Sequence, residues 1–333
     1  MNKRNIFVGT LTLFAFVLGA QIFACLSAHH ARMSEFPPNF GNFIEVRAVL
    51  ENSGDGRPYT FVVVGDPRSP GTFEDLARDI HVAHPAFVVI LGDWVDGASG
   101  DWHAYYRQRA AGFGFACPVF FTPGNHDVDP KGFPLEHFEK EYGPSNFSFA
   151  HNGDLFIFIS HLDKRFSNRQ SLEYLGSFDQ RELAAYRNRF VFMHIPPCVS
   201  PDIQERHTAD EKEFERAFEA LGIDYVLAAD FHGYNRTSLG NVEYIVTGGG
   251  GARLHESRGR QFHHAVGLTV GPGMVSERII PASAHFKVHE WLDMNLTVHV
   301  GPFILKHHIV FILLNIITAI ILFAAKNRIF KNS

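Results

Sequence analysis

Five short segments of the chain place oxygen, imidazole or guanidinium groups close together in one order: Gly65-Asp66-Pro67-Arg68, Gly92-Asp93-Trp94-Val95-Asp96, Gly124-Asn125-His126-Asp127, Met193-His194-Ile195-Pro196-Pro197 and Asp230-Phe231-His232. Four of them follow apolar runs, at Phe61–Val64, Phe87–Leu91, Phe190–Met193 and Tyr225–Ala228. Asp66 and Asp93 would each end a parallel strand, and the C-terminal strand edge is where open α/β sheets bind ligands. Two carboxylates arriving there repel each other unless a cation lies between them, and Asp93 is placed to bridge two ions. A helix N-cap would explain either Asp alone. It does not explain Asn125, His194 and His232 in the same series. Asn125 offers a carbonyl oxygen and His194 an imidazole, a donor mix that suits Mg, Mn, Fe, Zn or Ni. His126 stands beside Asp127, so that carboxylate could orient the imidazole and raise its basicity. An imidazolium there could steady a phosphoryl oxygen or protonate a leaving group. Two ions about 3.5–4 Å apart would clamp an in-line displacement at phosphorus. Asp96 reads as a supporting or turn residue.

The elements that must carry these groups are visible as periodicity. After a polar lead-in with one expected strand at Phe43–Leu50, strands at Phe61–Val64, Phe87–Leu91 and Val119–Phe121 alternate with helices at Phe73–His84, Trp102–Gly112 and Leu135–Tyr142. Such alternation predicts βαβ units and a sheet covered on both faces. Phe147–Ala150 and Leu155–Ser160 follow each other directly, as an antiparallel pair would. Helices at Asp179–Asn188 and Ala209–Leu221 then alternate with strands at Phe190–Met193 and Tyr225–Ala228, and the last third is strand-rich with glycine turns. The expected domain runs over 43–290.

Both ends are apolar. Ile6–Ala28 carries no charge behind Lys3 and Arg4, and about 20 such residues suffice to span a bilayer. Residues 1–28 are read as a membrane anchor or a signal segment. Residues 303–325 are read as a transmembrane helix closed by Lys326, Arg328 and Lys331. Basic residues at the outer end of both spans put the termini in the cytoplasm and the body on the non-cytoplasmic side. A net charge of −5 argues against a nucleic-acid surface, which needs a basic stripe. Cys25 belongs to the N-terminal apolar segment, and Cys117 and Cys198 form no disulfide framework and are expected free. The pairs His29-His30, His263-His264 and His307-His308 read as surface or juxtamembrane residues, and His255 as a loop residue.

The segments together resemble the calcineurin-like metallophosphoesterases, whose pattern is D-x-H, G-D-x-x-D, G-N-H-D/E, a lone His after a strand, and G-H-x-H. Gly92–Asp96, Gly124–Asp127 and His194 match it, and the resemblance covers about residues 59–280. Phe178-Asp179-Gln180 and the glycine run in Thr247–Ala252 look like further family features. The resemblance implies a four-layer α/β/β/α sandwich, here with N- and C-terminal transmembrane helices, and hydrolysis of a phosphomono- or diester with one or two divalent metal ions. It assigns Asp66, Asp93 and His232 to a first metal. Asp93, Asn125, His194 and Asp230 would hold a second. Two positions depart from the pattern: Arg68 replaces the His of D-x-H, and Ala229-Asp230 replaces the first Gly-His of G-H-x-H. Arg68 cannot ligate a metal because it stays protonated. It would bind the substrate phosphate as a bidentate donor, or pair with Asp66 and take the metal's place. The substrate is expected to be a phosphoester, lipid-linked or envelope-derived given the membrane tether. The rival reading is a degraded phosphoesterase fold that binds a phosphorylated ligand or partner. The run Gly248–Gly251 would either present N–H groups to a phosphate or form a tight turn.

Overall fold

The computed structural model describes residues 3–68, 71–200, 210–254, 261–282 and 287–330; His255 lies outside them. The chain divides into two compact units, Glu35–Lys287 and the described parts of Met1–Ser34 with Val288–Ser333.

Helix α1 (Lys3–Met33) is followed by α2 (Ile44–Glu51), β1 (Tyr59–Val64), α3 (Thr72–Val82), β2 (Phe87–Ile90), α4 (Gly100–Ala110) and β3 (Val119–Phe121). Next come α5 (Leu135–Tyr142), β4 (Phe147–His151), β5 (Asp154–Phe158), α6 (Arg169–Gly176), α7 (Gln180–Leu183) and β6 (Arg189–Phe192). Helix α8 (Glu211–Leu221), β7 (Tyr225–Ala228), β8 (Tyr234–Leu239), β9 (Val242–Thr247), β10 (His264–Gly271) and β11 (Met274–Pro281) complete the larger unit. The chain ends in α9 (Val288–Asn295), a π-helical turn (Leu296–Val300), α10 (Gly301–Lys306) and α11 (His308–Phe330).

Among the described residues two sheets form. One has the order β11-β10-β1-β2-β3, with β1, β2 and β3 parallel and the other two antiparallel. The other has the order β4-β5-β6-β7-β9-β8, parallel from β5 to β9 with antiparallel edge strands. The central strands are buried on both faces, so they read as unbroken apolar runs such as Phe61-Val62-Val63-Val64. Alternate residues divide between those faces. Phe61, Phe87 and Phe120 meet Phe147, Phe149, Phe156, Phe158, Phe190 and Phe192 of the opposite sheet. The Phe61 and Phe87 rings stack at 5.0 Å, and Phe190 meets Phe61 edge-on at 5.3 Å. A fully buried phenylalanine contributes about 1.5–3 kcal/mol, so this aromatic layer dominates the adhesion of the sheets.

Helices cover the outer faces. Ile157, Val191, Val226 and Tyr244 pack against Leu175, Leu183, Phe214 and Phe218 of α6, α7 and α8. On the other side Phe73 of α3 packs on Trp94, which in turn packs on Phe121. The result is the helix–sheet–sheet–helix sandwich expected. Cys25, Cys117 and Cys198 are free.

Three local expectations are corrected. Phe43–Leu50 is not a strand: Ile44–Glu51 is helical, and Val46 and Leu50, four apart, enter the core between the sheets. The helix at Asp179–Asn188 stops at Leu183, because Arg187 N–H bonds the Gly153 carbonyl (2.9 Å) and Asn188 bonds the Asp154 carboxylate (2.7 Å). His264 is a buried strand residue bonded to Thr247 (3.0 Å), not a surface one.

In the smaller unit α1 and α11 are long and apolar enough to cross a membrane, with mean hydropathies of 2.1 and 2.6. Small residues allow close approach: a Cβ on Gly301 would lie 2.2 Å from the Ala24 carbonyl oxygen. Asn315 donates to Gln21 Oε1 at 2.8 Å, joining α11 to α1. The chain breaks helix at His307, so Phe303–Leu305 belong to α10 rather than to the last helix.

Candidate metal centre

Strand ends from both sheets deliver the chemistry. Asp66 follows β1, Asp93 follows β2, Asn125 follows β3, His194 follows β6, and Asp230 and His232 follow β7. Asp66, Asp93 and Asp230 adopt left-handed backbone, with φ of 55°, 50° and 62°. Asp tolerates that region better than most residues, and it ends each strand abruptly at the carboxylate. Neighbouring ends are laced together: Asp66 N–H donates to the Gly92 carbonyl (3.1 Å), and Asp230 N–H donates to Asp66 Oδ2 (2.9 Å).

His194 is fully buried, and its Nδ1–H donates to the Leu91 carbonyl at 2.7 Å. That bond orients the ring and, in the neutral imidazole, leaves the lone pair on Nε2. Around this nitrogen lie Asn125 Oδ1 at 3.1 Å, Asp93 Oδ1 at 3.3 Å and Asp230 Oδ1 at 3.7 Å. Asp93 Oδ1 also accepts from His126 N–H at 2.8 Å, and lone-pair donors gathered this closely suit a divalent cation. Donors bound at about 2.1 Å to one ion stand about 3.0–3.4 Å apart in octahedral or tetrahedral arrangement, and the distances from Nε2 to Asn125 and Asp93 fall in that range.

A second set of acceptors lies on the other side of Asp93. His232 Nδ1–H donates to the Arg253 carbonyl at 2.6 Å, so its Nε2 also carries a lone pair. Asp66 Oδ1 lies 3.7 Å from that nitrogen, is buried and has no hydrogen-bond partner. Here the cation is already supplied. Arg68 Nη1 donates to Asp93 Oδ2 at 3.0 Å, and Nη2 donates to His232 Nε2 at 3.3 Å.

Burial, then the neighbouring Asp93 and Asp230 carboxylates, push the Asp66 carboxyl well above its ordinary value. Burial would also raise Asp93, but the His194 and His126 imidazoles in their charged form, the Arg68 guanidinium and the His126 backbone N–H outweigh it and hold that carboxyl low. The group that resists deprotonation is thus the one with an orphaned oxygen. Asp66, Asp93 and His194 can bring one ligand atom each within 4.8 Å of one another, which makes them a candidate metal site.

Sequence comparison agrees with this geometry. A family model described as calcineurin-like phosphoesterase matches residues 36–234. The chain belongs to that family. Comparison with curated proteins gave no match. Among solved structures, a purple acid phosphatase from yellow lupin (Lupinus luteus) seeds is 16% identical over 67% of this chain and 52% of its own, with a TM-score of 0.50. A dimetal phosphatase from Danio rerio is 14% identical over 68% of this chain and 99% of its own, with a TM-score of 0.46. The chain spans about half the length of the lupin protein, and at this identity the likeness is one of fold.

In this calcineurin-like phosphoesterase the donors brought together include Asp66, Asp93, Asn125, His194, Asp230 and His232, with Arg68 among them. They fit a divalent ion by donor chemistry and by the orphaned Asp66 oxygen. His126 and Asp127 part company. His126 Nδ1–H donates to the Asp96 carbonyl (3.0 Å), leaving Nε2 4.0 Å from Asp93 Oδ2. The Asp127 carboxylate instead accepts from Val95 N–H (3.0 Å) and Gly124 N–H (2.7 Å). The expectation that Asp127 orients His126 is therefore corrected: Asp127 ties two site loops together from beneath. Burial and then Asp93 raise its carboxyl to about 7 against the pull of those N–H groups.

The Gly248–Gly251 run takes the tight-turn form. Gly250 N–H bonds the Gly65 carbonyl (2.8 Å) and Gly248 N–H bonds the Gly233 carbonyl (3.2 Å). A Cβ on Gly248 would lie 2.4 Å from Asp66 Oδ2, so the turn approaches the site too closely for any side chain. His263 bonds the Gly249 carbonyl (3.3 Å) behind that turn. Sequence reasoning missed Arg165, whose Nη2 donates to the Asn125 backbone carbonyl at 2.7 Å. No motif in the chain announces that contact.

Proposed function

We propose that the chain is a membrane-tethered, metal-dependent phosphoester hydrolase. Its phosphoesterase domain, over about 43–290, would lie outside the cytoplasm between spans within α1 and α11. The observation that carries the reading is the meeting of His194 Nε2 with the Asn125, Asp93 and Asp230 oxygens.

These residues would hold the ion, with Asp66 and His232 beside them. A divalent ion there supplies Lewis-acid polarisation of a phosphoryl oxygen and a water-derived nucleophile at neutral pH. The chain's own groups do the rest. His126, with about a third of its side chain exposed, turns Nε2 toward Asp93 Oδ2 at 4.0 Å. Protonated, it would donate that hydrogen to the leaving oxygen. Arg68 would steady the phosphoryl group through N–H groups not spent on Asp93 and His232. Asp127 positions the Gly124 loop. Membrane tethering favours a phosphoester presented at the envelope, lipid-linked or envelope-derived.

A second reading is a binding module for a phosphorylated ligand, supported by the Arg68 guanidinium lying among the donors. Turnover separates the two. Full-length protein in detergent, assayed on an aryl phosphomonoester and a diester with Mn²⁺, Mg²⁺, Zn²⁺ or Ni²⁺, should hydrolyse at least one of them. Asn125→Ala should lower that rate about 100-fold or more. No turnover above the Asn125→Ala background with any metal would leave the binding module as the better account.

A further inference from the structure

We infer that this phosphoesterase centre takes a single divalent ion, held by Asp93, Asn125, His194 and Asp230, and that the Arg68 guanidinium is a permanent replacement for a second cation. The inference rests on the metal-binding part of the proposed function and deepens it.

The argument begins with lone pairs. The Arg68 side of the centre offers His232 Nε2, Asp93 Oδ2 and Asp66 Oδ1. The first two are already bonded to Nη2 (3.3 Å) and Nη1 (3.0 Å). An ion bound to the same two atoms at about 2.1 Å would overlap the guanidinium. It would also have to expel a group that is attached to the chain and never loses its charge. Asp96 Oδ1, 3.9 Å from Arg68 Nε, adds a further anionic neighbour that holds the guanidinium in place.

Charge points the same way. A second divalent ion beside the tethered Arg68 guanidinium would crowd like charges in a buried setting, where poorly compensated charge is costly.

The donor sets also differ in openness. Among the described residues, the His194 side has three oxygens and a nitrogen with no guanidinium between them. Its imidazole is pinned behind by the Leu91 carbonyl, and Asn125 is steadied through its backbone by Arg165. Such backing raises ligand basicity and fixes orientation.

The test is metal stoichiometry, not activity alone. Full-length protein in detergent is stripped with a chelator, reloaded with Mn²⁺, freed of excess metal and analysed by mass spectrometry for ions per chain. Electron paramagnetic resonance then distinguishes an isolated Mn²⁺ from an exchange-coupled pair. One ion with an uncoupled spectrum is expected for the wild type. His194→Ala should remove it, His232→Ala should leave it, and Arg68→His, which deletes the guanidinium and adds a neutral donor, should raise the count to two and introduce coupling. Two ions in the wild type, or an Arg68→His protein that folds and still binds one, would overturn the inference. So would an ion lost in His232→Ala but kept in His194→Ala. If Arg68→His does not fold, the wild-type count and the two histidine variants decide. One ion without turnover would sustain the inference and sink the hydrolase reading. Two ions with turnover would do the reverse, and no bound ion would overturn both.

Discussion

Asp66, Asp93 and Asp127 share one buried cluster, yet their surroundings hold their protons with different strength. Away from the metal donors, burial acts on imidazoles in the opposite direction. It pushes His103 down to about 3 and His161 to about 4. His103 lies between the Tyr142 hydroxyl (2.7 Å) and the Asp127 backbone carbonyl (2.9 Å). Neutral in the fold and free to protonate when unfolded, it contributes stability that is present above the ordinary histidine value and is lost as pH falls toward its folded value. The raised carboxyls run the other way and gain stability on acidification, so only a difference isolates His103. Between pH 7 and pH 5 metal-free wild type should lose about 2 kcal/mol more than His103→Gln does, read from urea midpoints. Equal losses would remove His103 from the account. At this scale the sequence was informative about residue type and silent about direction. His126 and Asp127 are neighbours in the chain, but one side chain turns to Asp93 and the Asp96 carbonyl and the other to the Val95 and Gly124 N–H groups. Arg68 was visible as a departure from pattern, while its choice of Asp93 and His232 over Asp66 depends on side-chain paths that no spacing encodes.

Strands were the most legible elements, because burial on both faces writes itself as uninterrupted Val, Ile and Phe. Helix α2 was misread for a related reason. Ile44, Val46, Ala48 and Leu50 fit an alternating pattern, and only the pairing of Val46 with Leu50 in the core reveals the helical period. The turns after the strands carry a constraint of their own. Gly92 has φ 81°, and a Cβ there would lie 2.5 Å from His194 Nδ1, the atom that fixes the ligand's tautomer. Gly92→Ala should therefore weaken Mn²⁺ binding about 10- to 100-fold and cost about 1–3 kcal/mol of stability. Gly100→Ala, in open space at the start of α4, should change neither. Calorimetric titration of both variants checks this, and an unchanged affinity in Gly92→Ala would refute the strand-end constraint. The left-handed aspartates also dictate how the site should be dissected. Asn accepts that backbone where Ala does not, so Asp93→Asn tests charge alone and Asp93→Ala tests charge and conformation together.

For the whole molecule, α1 and α11 are both candidate spans, and Lys3, Arg4, Lys326 and Arg328 lie toward their outer ends. The positive-inside tendency would then place the termini in the cytoplasm and Glu35–Lys287 across the membrane from them. An epitope at Gly273, in the exposed turn between β10 and β11, should be reached by external protease in sealed cells while tags at either terminus are protected. Protection of all three would reject the topology. The contact between Arg68 and the strand ends has a consequence for how the protein would respond to its supply of metal. A centre that needs two exchangeable ions loses its loaded fraction as the square of their concentration once they become scarce. A centre with one ion and one tethered guanidinium loses it only in direct proportion. Chelation would take away half of its positive partners and leave the other half attached by covalent bonds, so recharging needs a single encounter.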